Sequence, residues 1–273
     1  MIKLLRYWRH GPLKHWSSLW VRLGKGYRWL VEKLHLPISV SMSIGRYGPY
    51  RVQAYFAFSD LEHWGMHHNN GFDACINACR GKHCVVDVGA HVGWVTLPMS
   101  SVIVPGGKVL AFEPACVNFW YLARHVSQNK LMNVELYTDL VGDQLCDDVL
   151  FYERKEVSGM NSLVIKKDHE QYRVTQKHQI TLDHFFSHYP LLPQIIKIDV
   201  EGAEMKVLQG AINTLKRCHP WVFLSVHPVE MALLQTSFQA LRDLVENIGY
   251  RITHVDGSSV ETFTLKEYIL RPL

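Results

Sequence analysis

Nowhere does the chain carry the unbroken apolar run of about 20 residues that a membrane-crossing helix needs. It also lacks the continuous apolar core of a secretory signal, since charges interrupt residues 1–36 every few positions. The six cysteines, at 75, 79, 84, 116, 146 and 218, show neither zinc-finger spacing nor a small disulfide framework. Cys75 and Cys79, four apart on an expected helix, read as buried thiols rather than soft metal ligands. No metal ion is expected, a divalent ion held by Asp199, Glu201 and His227 being the lesser reading, and the expected setting is reducing and cytoplasmic. Low apolar content, the mark of disorder, is missing too: 48 % of residues are hydrophobic and 20 % charged. The 273 residues suffice for one sizeable core with a short appendage.

What is present is an uneven charge. Residues 1–36 hold Lys3, Arg6, Arg9, Lys14, Arg22, Lys25, Arg28 and Lys33 against Glu32 alone, a net of +7, while the remainder carries −3. Between the cations, Leu4, Tyr7, Trp8, Trp16, Leu19, Trp20, Leu23, Tyr27 and Leu30 recur at three- and four-residue steps. That spacing predicts one or two amphipathic helices, broken near Gly11-Pro12. A basic helix bearing Trp and Leu has the composition of an element lying in an anionic membrane surface. The alternative is a helix packed on the domain or on a second protomer. An acidic body repels phosphate, so no nucleic acid is expected. Oligomeric state is not legible. Residues 1–36 are read as an extension, and 37–273 as the main domain, peripheral on the cytoplasmic face of a membrane if the helix docks there.

From Cys84 the pattern alternates strand and helix. Strands are expected at Cys84–Val88, Lys108–Phe112, Asn133–Tyr137, Ile195–Val200 and Trp221–Val226. Helices are expected near Val92–Val104, Asn118–Asn129, Ala203–Arg217 and Thr236–Ile248. Upstream, Arg51–Phe58 reads as a strand and Phe72–Arg80 as a helix, while Leu150–Lys155 and Ser162–Lys166 read as an inserted hairpin. Tyr250–Val255 and Thr262–Leu270 flank a turn and read as an antiparallel pair. The fold class is α/β: a doubly wound, Rossmann-like sheet, mostly parallel, with an antiparallel strand at the C-terminal end.

In such sheets ligands bind beyond the carboxyl ends of the strands, where strand order reverses. The first of these strands ends in Asp87, Gly89, His91 and Gly93, a tight turn into a helix N-terminus with free N–H donors. Glu113 ends the next strand, placed to accept from ribose hydroxyls. His91 stands where a dinucleotide fingerprint needs its middle glycine, so no pyrophosphate seat is evident. A cofactor with a ribose, an amino-acid tail and no phosphate fits better, and S-adenosylmethionine is that ligand, with Asp87 facing its ammonium group.

The runs VVDVGAHVGWVT, KVLAFEP, IIKIDVEGAEMKVLQGA and SVHP resemble the FkbM family of S-adenosylmethionine-dependent methyltransferases, from about Phe72 to the C-terminus. The resemblance implies the class I methyltransferase sheet and O-methylation, frequently of sugars in glycans or of natural products. Ser225 departs from it, standing where the family often has an acid, and His125 replaces a frequent asparagine.

Lys197 and Asp199 share one face of a buried strand, an expensive placement unless they pair or react. Asp199 at the strand end and His227 beyond the next strand are the candidate bases for an acceptor hydroxyl, and Asp199, facing the same crevice, is expected with Asp87, Gly89, His91, Gly93 and Glu113 among the cofactor-binding residues. Lys197 is expected to hold Asp199 or orient the acceptor. Glu201 is a further candidate, and Glu204 reads equally as a helix-end carboxylate. His227 reads also as a hydrogen-bonded strand-end histidine. Asn161 and Ser162 are candidate hydrogen-bonding groups in a polar loop. The expected activity is transfer of a methyl group to a hydroxyl of a sugar, glycan or lipid-linked glycan. The alternatives are a soluble small-molecule natural product as acceptor, or a non-catalytic membrane-docking scaffold.

Overall fold

The three- and four-residue apolar steps of the N-terminal stretch form helix α1 (Ser17–Lys33), as their period predicts. The computed structural model describes residues 11–12, 15–33, 38–65, 69–164 and 171–273. Residues 1–10 of the amphipathic stretch lie outside these. The chain divides into two units, Met1–Trp64 and Gly65–Leu273. In the first, the Tyr27 hydroxyl donates to the Ala54 carbonyl at 3.0 Å, and the Tyr27 ring meets Phe58 edge-on at 5.0 Å. Trp16, Leu19, Leu23 and Trp29 remain exposed. Strands β1 (Ser39–Ile44) and β2 (Tyr47–Gln53) pair antiparallel. The strand expected at 51–58 ends at Gln53, where the chain turns into a short 3-10 helix, Ala54–Phe56.

The second unit opens with α2 (Asn70–Ala78), then alternates β3 (Cys84–Val88), α3 (Thr96–Val102), β4 (Lys108–Phe112), α4 (Cys116–Gln128) and β5 (Val134–Tyr137). An insertion follows: β6 (Leu140–Val141), β7 (Cys146–Arg154) and β8 (Tyr172–Ile180). The chain returns through α5 (Leu182–His188), β9 (Ile195–Ile198), α6 (Glu204–Gln209), α7 (Ile212–Cys218) and β10 (Trp221–Val226). It closes with α8 (Pro228–Leu233), α9 (Phe238–Asn247), β11 (Tyr250–Thr253) and β12 (Lys266–Pro272). Among the described residues, seven strands form a sheet in the order β11-β12-β10-β9-β3-β4-β5, in which only β12 runs antiparallel to its neighbours. This is the expected doubly wound class. Every residue of β3 and β9 is buried, as befits strands covered on both faces. Val86, Val88, Ile196, Ile198 and Leu224 meet in one apolar cluster. Strand order reverses at β3, so the crevice opens beyond Val88, Phe112 and Ile198.

Two expectations need correction. The inserted hairpin pairs β7 with Tyr172–Ile180, and Ser162 contributes only an isolated bridge to Tyr152. Residues 165–170, within the expected second strand and beyond it, lie outside the described residues. The polar run of β8 escapes an apolar-period reading because most of it faces solvent, with only Gln179 and Ile180 buried. The single helix expected over Ala203–Arg217 is two. A β-carbon at Gly210 would sit 1.9 Å from the Gly142 carbonyl oxygen, so the insertion crosses the helix where no side chain exists. Helix α5 was not expected; the Thr181 hydroxyl caps it, accepting from the His184 N–H at 3.0 Å. Gly210→Ala is expected to cost about 1–3 kcal/mol through that overlap. Thermal unfolding checks this, and an unchanged midpoint removes the close-approach account.

Candidate active site

Strands β3 and β9 lie in register, with Asp87 opposite Lys197. Neither charge reaches solvent, so each must be satisfied internally. The Lys197 ammonium stands 2.9 Å from Asp87 Oδ1 and donates to the carbonyls of Gly89 at 2.6 Å and Val88 at 3.3 Å. Burial alone lowers its pKa, but the charges of Asp87 and Asp199 outweigh that and raise it. Asp87 Oδ2 accepts from the Thr96 hydroxyl at 2.6 Å. Both oxygens therefore face protein groups, and the carboxylate ties the turn to β9 and to the start of α3.

That turn is left-handed at Gly89, His91 and Gly93, with φ of 78°, 52° and 98°. A β-carbon at Gly89 would lie 1.8 Å from the Asp199 carbonyl oxygen, so glycine is what lets the turn seat against the end of β9. The His91 N–H donates to Glu113 Oε2 at 2.8 Å. Glu113 Oε1 accepts from Ala115 N–H at 2.9 Å and Asn118 Nδ2 at 3.4 Å. Burial drives the Glu113 pKa up to about 7 against these donors. Burial also drives His91 and His125 down to about 4, so both imidazoles are neutral. His125 hydrogen-bonds the Val92 carbonyl at 2.7 Å and stacks on Trp94.

Past Ile198 the charge pattern changes. His227 Nδ1 donates to Glu204 Oε1 at 2.7 Å, and its Nε2 lies 3.5 Å from Glu201 and 3.6 Å from Asp199. Burial lowers the His227 pKa, but the Glu204 hydrogen bond and the Asp199, Glu204 and Glu201 charges prevail and raise it to about 9. At neutral pH this imidazolium has no lone pair with which to take a proton. Glu204 also accepts from the Gly202 N–H at 3.0 Å, so it joins the histidine to the start of α6. Asp199, Glu201, Ser225 and His227 line a cavity of ≈ 990 Å³ whose far wall includes Phe72, Lys266 and Glu267.

The match to known families covers Asp199, Glu201, Ser225 and His227 but not Phe72, Lys266 or Glu267. The family model described as the methyltransferase FkbM domain matches residues 87–252. The chain belongs to the FkbM methyltransferase family. "Methyltransferase 1" of Beauveria bassiana (strain ARSEF 2860) is 25 % identical over 205 residues, 68 % of this chain and 79 % of that protein. The crystal structure of methyltransferase FkbM from Methylobacillus flagellatus KT is 17 % identical with a TM-score of 0.42, covering 71 % of this chain. The chain spans only 44 % of that protein's length. The O-methyltransferase TomG from Streptomyces achromogenes, solved with its cofactor, is 10 % identical with a TM-score of 0.44, covering 75 % of this chain and 79 % of that one.

S-adenosylmethionine is the cofactor of this FkbM methyltransferase, and the residues present suit it. The buried Nε2 of His91 has no partner. Glu113 Oε2 takes a single N–H, which leaves it a lone pair for a ribose hydroxyl. The left-handed glycines bring backbone, not side chain, to the crevice. Among the described residues no group of three His, Cys, Asp or Glu side chains is arranged to hold a metal ion.

The structure thus brings the expected residues together in two groups: Asp87, Gly89, His91, Gly93, Glu113 and Lys197 about the turn, and Asp199, Glu201 and His227 about the cavity. Sequence reasoning missed Thr96, Asn118 and Glu267. Thr96 was accessible, nine positions after Asp87 in the same motif. Glu267 was not, because it reaches the cavity only through pairing of β12 opposite Ser225. Since the folded pKa of His227 exceeds its ordinary 6.5, the stabilisation it confers is complete below pH 6.5 and is lost as pH rises through about 9. Unfolding midpoints measured over that window should fall for the wild type relative to His227→Gln. A difference between the two that does not vary with pH refutes the charged assignment.

Proposed function

We propose that this enzyme methylates a hydroxyl of a sugar, glycan or lipid-linked glycan at a membrane surface. The observation that carries this reading is the ring of carboxylates on one imidazolium, opening onto a cavity large enough for a sugar unit. A polyhydroxylated acceptor presents many O–H donors, and Asp199, Glu201 and Glu267 offer the acceptors to match. Phe72 adds an apolar face for the C–H side of a ring. When bound, S-adenosylmethionine supplies an electrophilic methyl group on sulfur. Asp199 accepts the proton of the attacking hydroxyl, for it ends β9 against the cofactor turn and is still partly open to the cavity. His227 fixes the surrounding carboxylates and offers no lone pair near neutral pH, so the role of base passes to Asp199. Lys197 holds the Gly89 carbonyl in place, and most of the catalytic effect is orientation.

The membrane part draws on α1, whose Trp16, Leu19, Leu23 and Trp29 are exposed among cations. Among the described residues no helix is long and apolar enough to cross a membrane, so contact would be lateral. With labelled S-adenosylmethionine and a panel of mono- and oligosaccharides, Asp199→Asn should lower kcat by about 10²–10⁴ while calorimetry finds cofactor affinity unchanged. Transfer undiminished by the substitution would exclude the base, and transfer only to non-sugar hydroxyls would exclude the acceptor class. The full chain should co-sediment with anionic vesicles and not with neutral ones. Failure with both removes the membrane surface.

A further inference from the structure

The Glu201–Gly202 peptide is held from both sides. Glu201 has φ +53°, a left-handed conformation unfavourable for a side chain with a β-carbon. Gly202 follows at φ +107°, where a β-carbon would meet Glu230 at 2.5 Å. The N–H of this peptide donates to Glu204 Oε1 at 3.0 Å, and its carbonyl accepts from the Ser162 hydroxyl at 2.8 Å. Ser162 belongs to neither β9 nor α6. It is in the insertion, fully buried, with its own backbone bridged to Tyr152 in both directions at 2.9 and 3.0 Å.

The same short loop grips the cofactor side. Asn118, which touches Glu113, donates to the Ser158 carbonyl at 2.8 Å and accepts from the Ser158 N–H at 3.3 Å. Asn161 closes the loop on itself, donating to the Ser158 carbonyl at 2.9 Å and accepting from the Arg154 N–H at 2.8 Å. Residues 158–162 thus form a strap with one end on the helix that follows Glu113 and the other on the carbonyl of Glu201.

We infer that Ser162 is a positioning residue, holding the Glu201 backbone in its left-handed state so that the Glu201 carboxylate reaches His227. A residue in a sparsely populated conformation persists only where its surroundings over-determine it. Here Glu204 supplies one restraint and Ser162 the other. Without the hydroxyl, the peptide loses one of these restraints and relaxes towards extended backbone, which carries the Glu201 carboxylate away from Nε2. Glu204 and Asp199 stay, as does Glu267 across the cavity, so His227 loses one of its negative neighbours and keeps the rest.

The test reads His227 directly and needs no acceptor. Full-length protein labelled with ¹⁵N-histidine is titrated by long-range ¹H–¹⁵N correlation, with His227 assigned from His227→Gln. Ser162→Ala should lower the His227 pKa by about one unit, the lower end of the effect of one nearby opposite charge. Ser162→Thr, which keeps the hydroxyl, should restore it. Calorimetry should find S-adenosylmethionine affinity within about twofold for both, a change of about 0.4 kcal/mol or less. A wild-type titration in the alanine variant overturns the inference, and so does a parallel loss of cofactor affinity, which marks general disruption. If the alanine variant does not fold, Ser162→Cys, with its weaker donor, must lower the pKa by a smaller amount. A cysteine variant that titrates like wild type overturns the inference equally. The functional meaning rests on Asp199, Glu201 and His227 being the acceptor side. Methyl transfer undiminished in Asp199→Asn defeats that reading separately, while the His227 titration alone decides the role of Ser162.

Discussion

The buried ion pair of Lys197 and Asp87 is the constraint on which the rest of the site depends. Two charges removed from water are stable only if their remaining hydrogen-bonding capacity is met. The ammonium meets it by turning its other donors onto the carbonyls of Val88 and Gly89, and the carboxylate by accepting from Thr96. The end of β3, the first residue of the turn and the start of α3 are thereby tied to the middle of β9. Removing either partner strands the other charge in the core, a loss of about 3–5 kcal/mol in comparable cases. The absence of a side chain at Gly89 completes the arrangement, since the turn rests directly on the Asp199 carbonyl.

From that junction two regions of opposite electrostatic character diverge. His91, His125 and His227 lie within a few residues of the crevice, yet the first two are neutral and the third is charged at neutral pH. All three are penalised by burial. Only His227 has carboxylates at 2.7, 3.5 and 3.6 Å to offset it. The division suits the proposed chemistry, because a protonated imidazole beside a sulfonium would repel it, whereas carboxylates gathered on an imidazolium present acceptors to the hydroxylated molecule proposed as substrate. The insertion joins the regions through the strap between Asn118 and Glu201, so the two halves of the site are not independent of a segment outside the central sheet.

Much of this was legible in the chain itself. Short β-branched runs, and glycines placed after Asp87, reported the sheet, the crevice and the phosphate-free cofactor, since period and turn chemistry act over a few residues. The corrections share a physical cause. The break at Gly210 follows from the approach of Gly142, and the pairing of β7 with β8 joins residues 18 to 33 positions apart. Neither leaves a local mark.

The site divides along the same line. The amino-acid sequence by itself determined the family, the sheet, the turn at residues 87–93 and the acids at 113 and 199, because strand ends and tight turns are written in adjacent residues. Tertiary structure alone decided that Lys197 serves Asp87 more closely than Asp199, that His227 is charged, that Glu267 lines the cavity, and that the Ser162 hydroxyl meets the Glu201 carbonyl. Those facts depend on distances across strands and on what is excluded from water, and neither is a property of neighbouring positions in the chain.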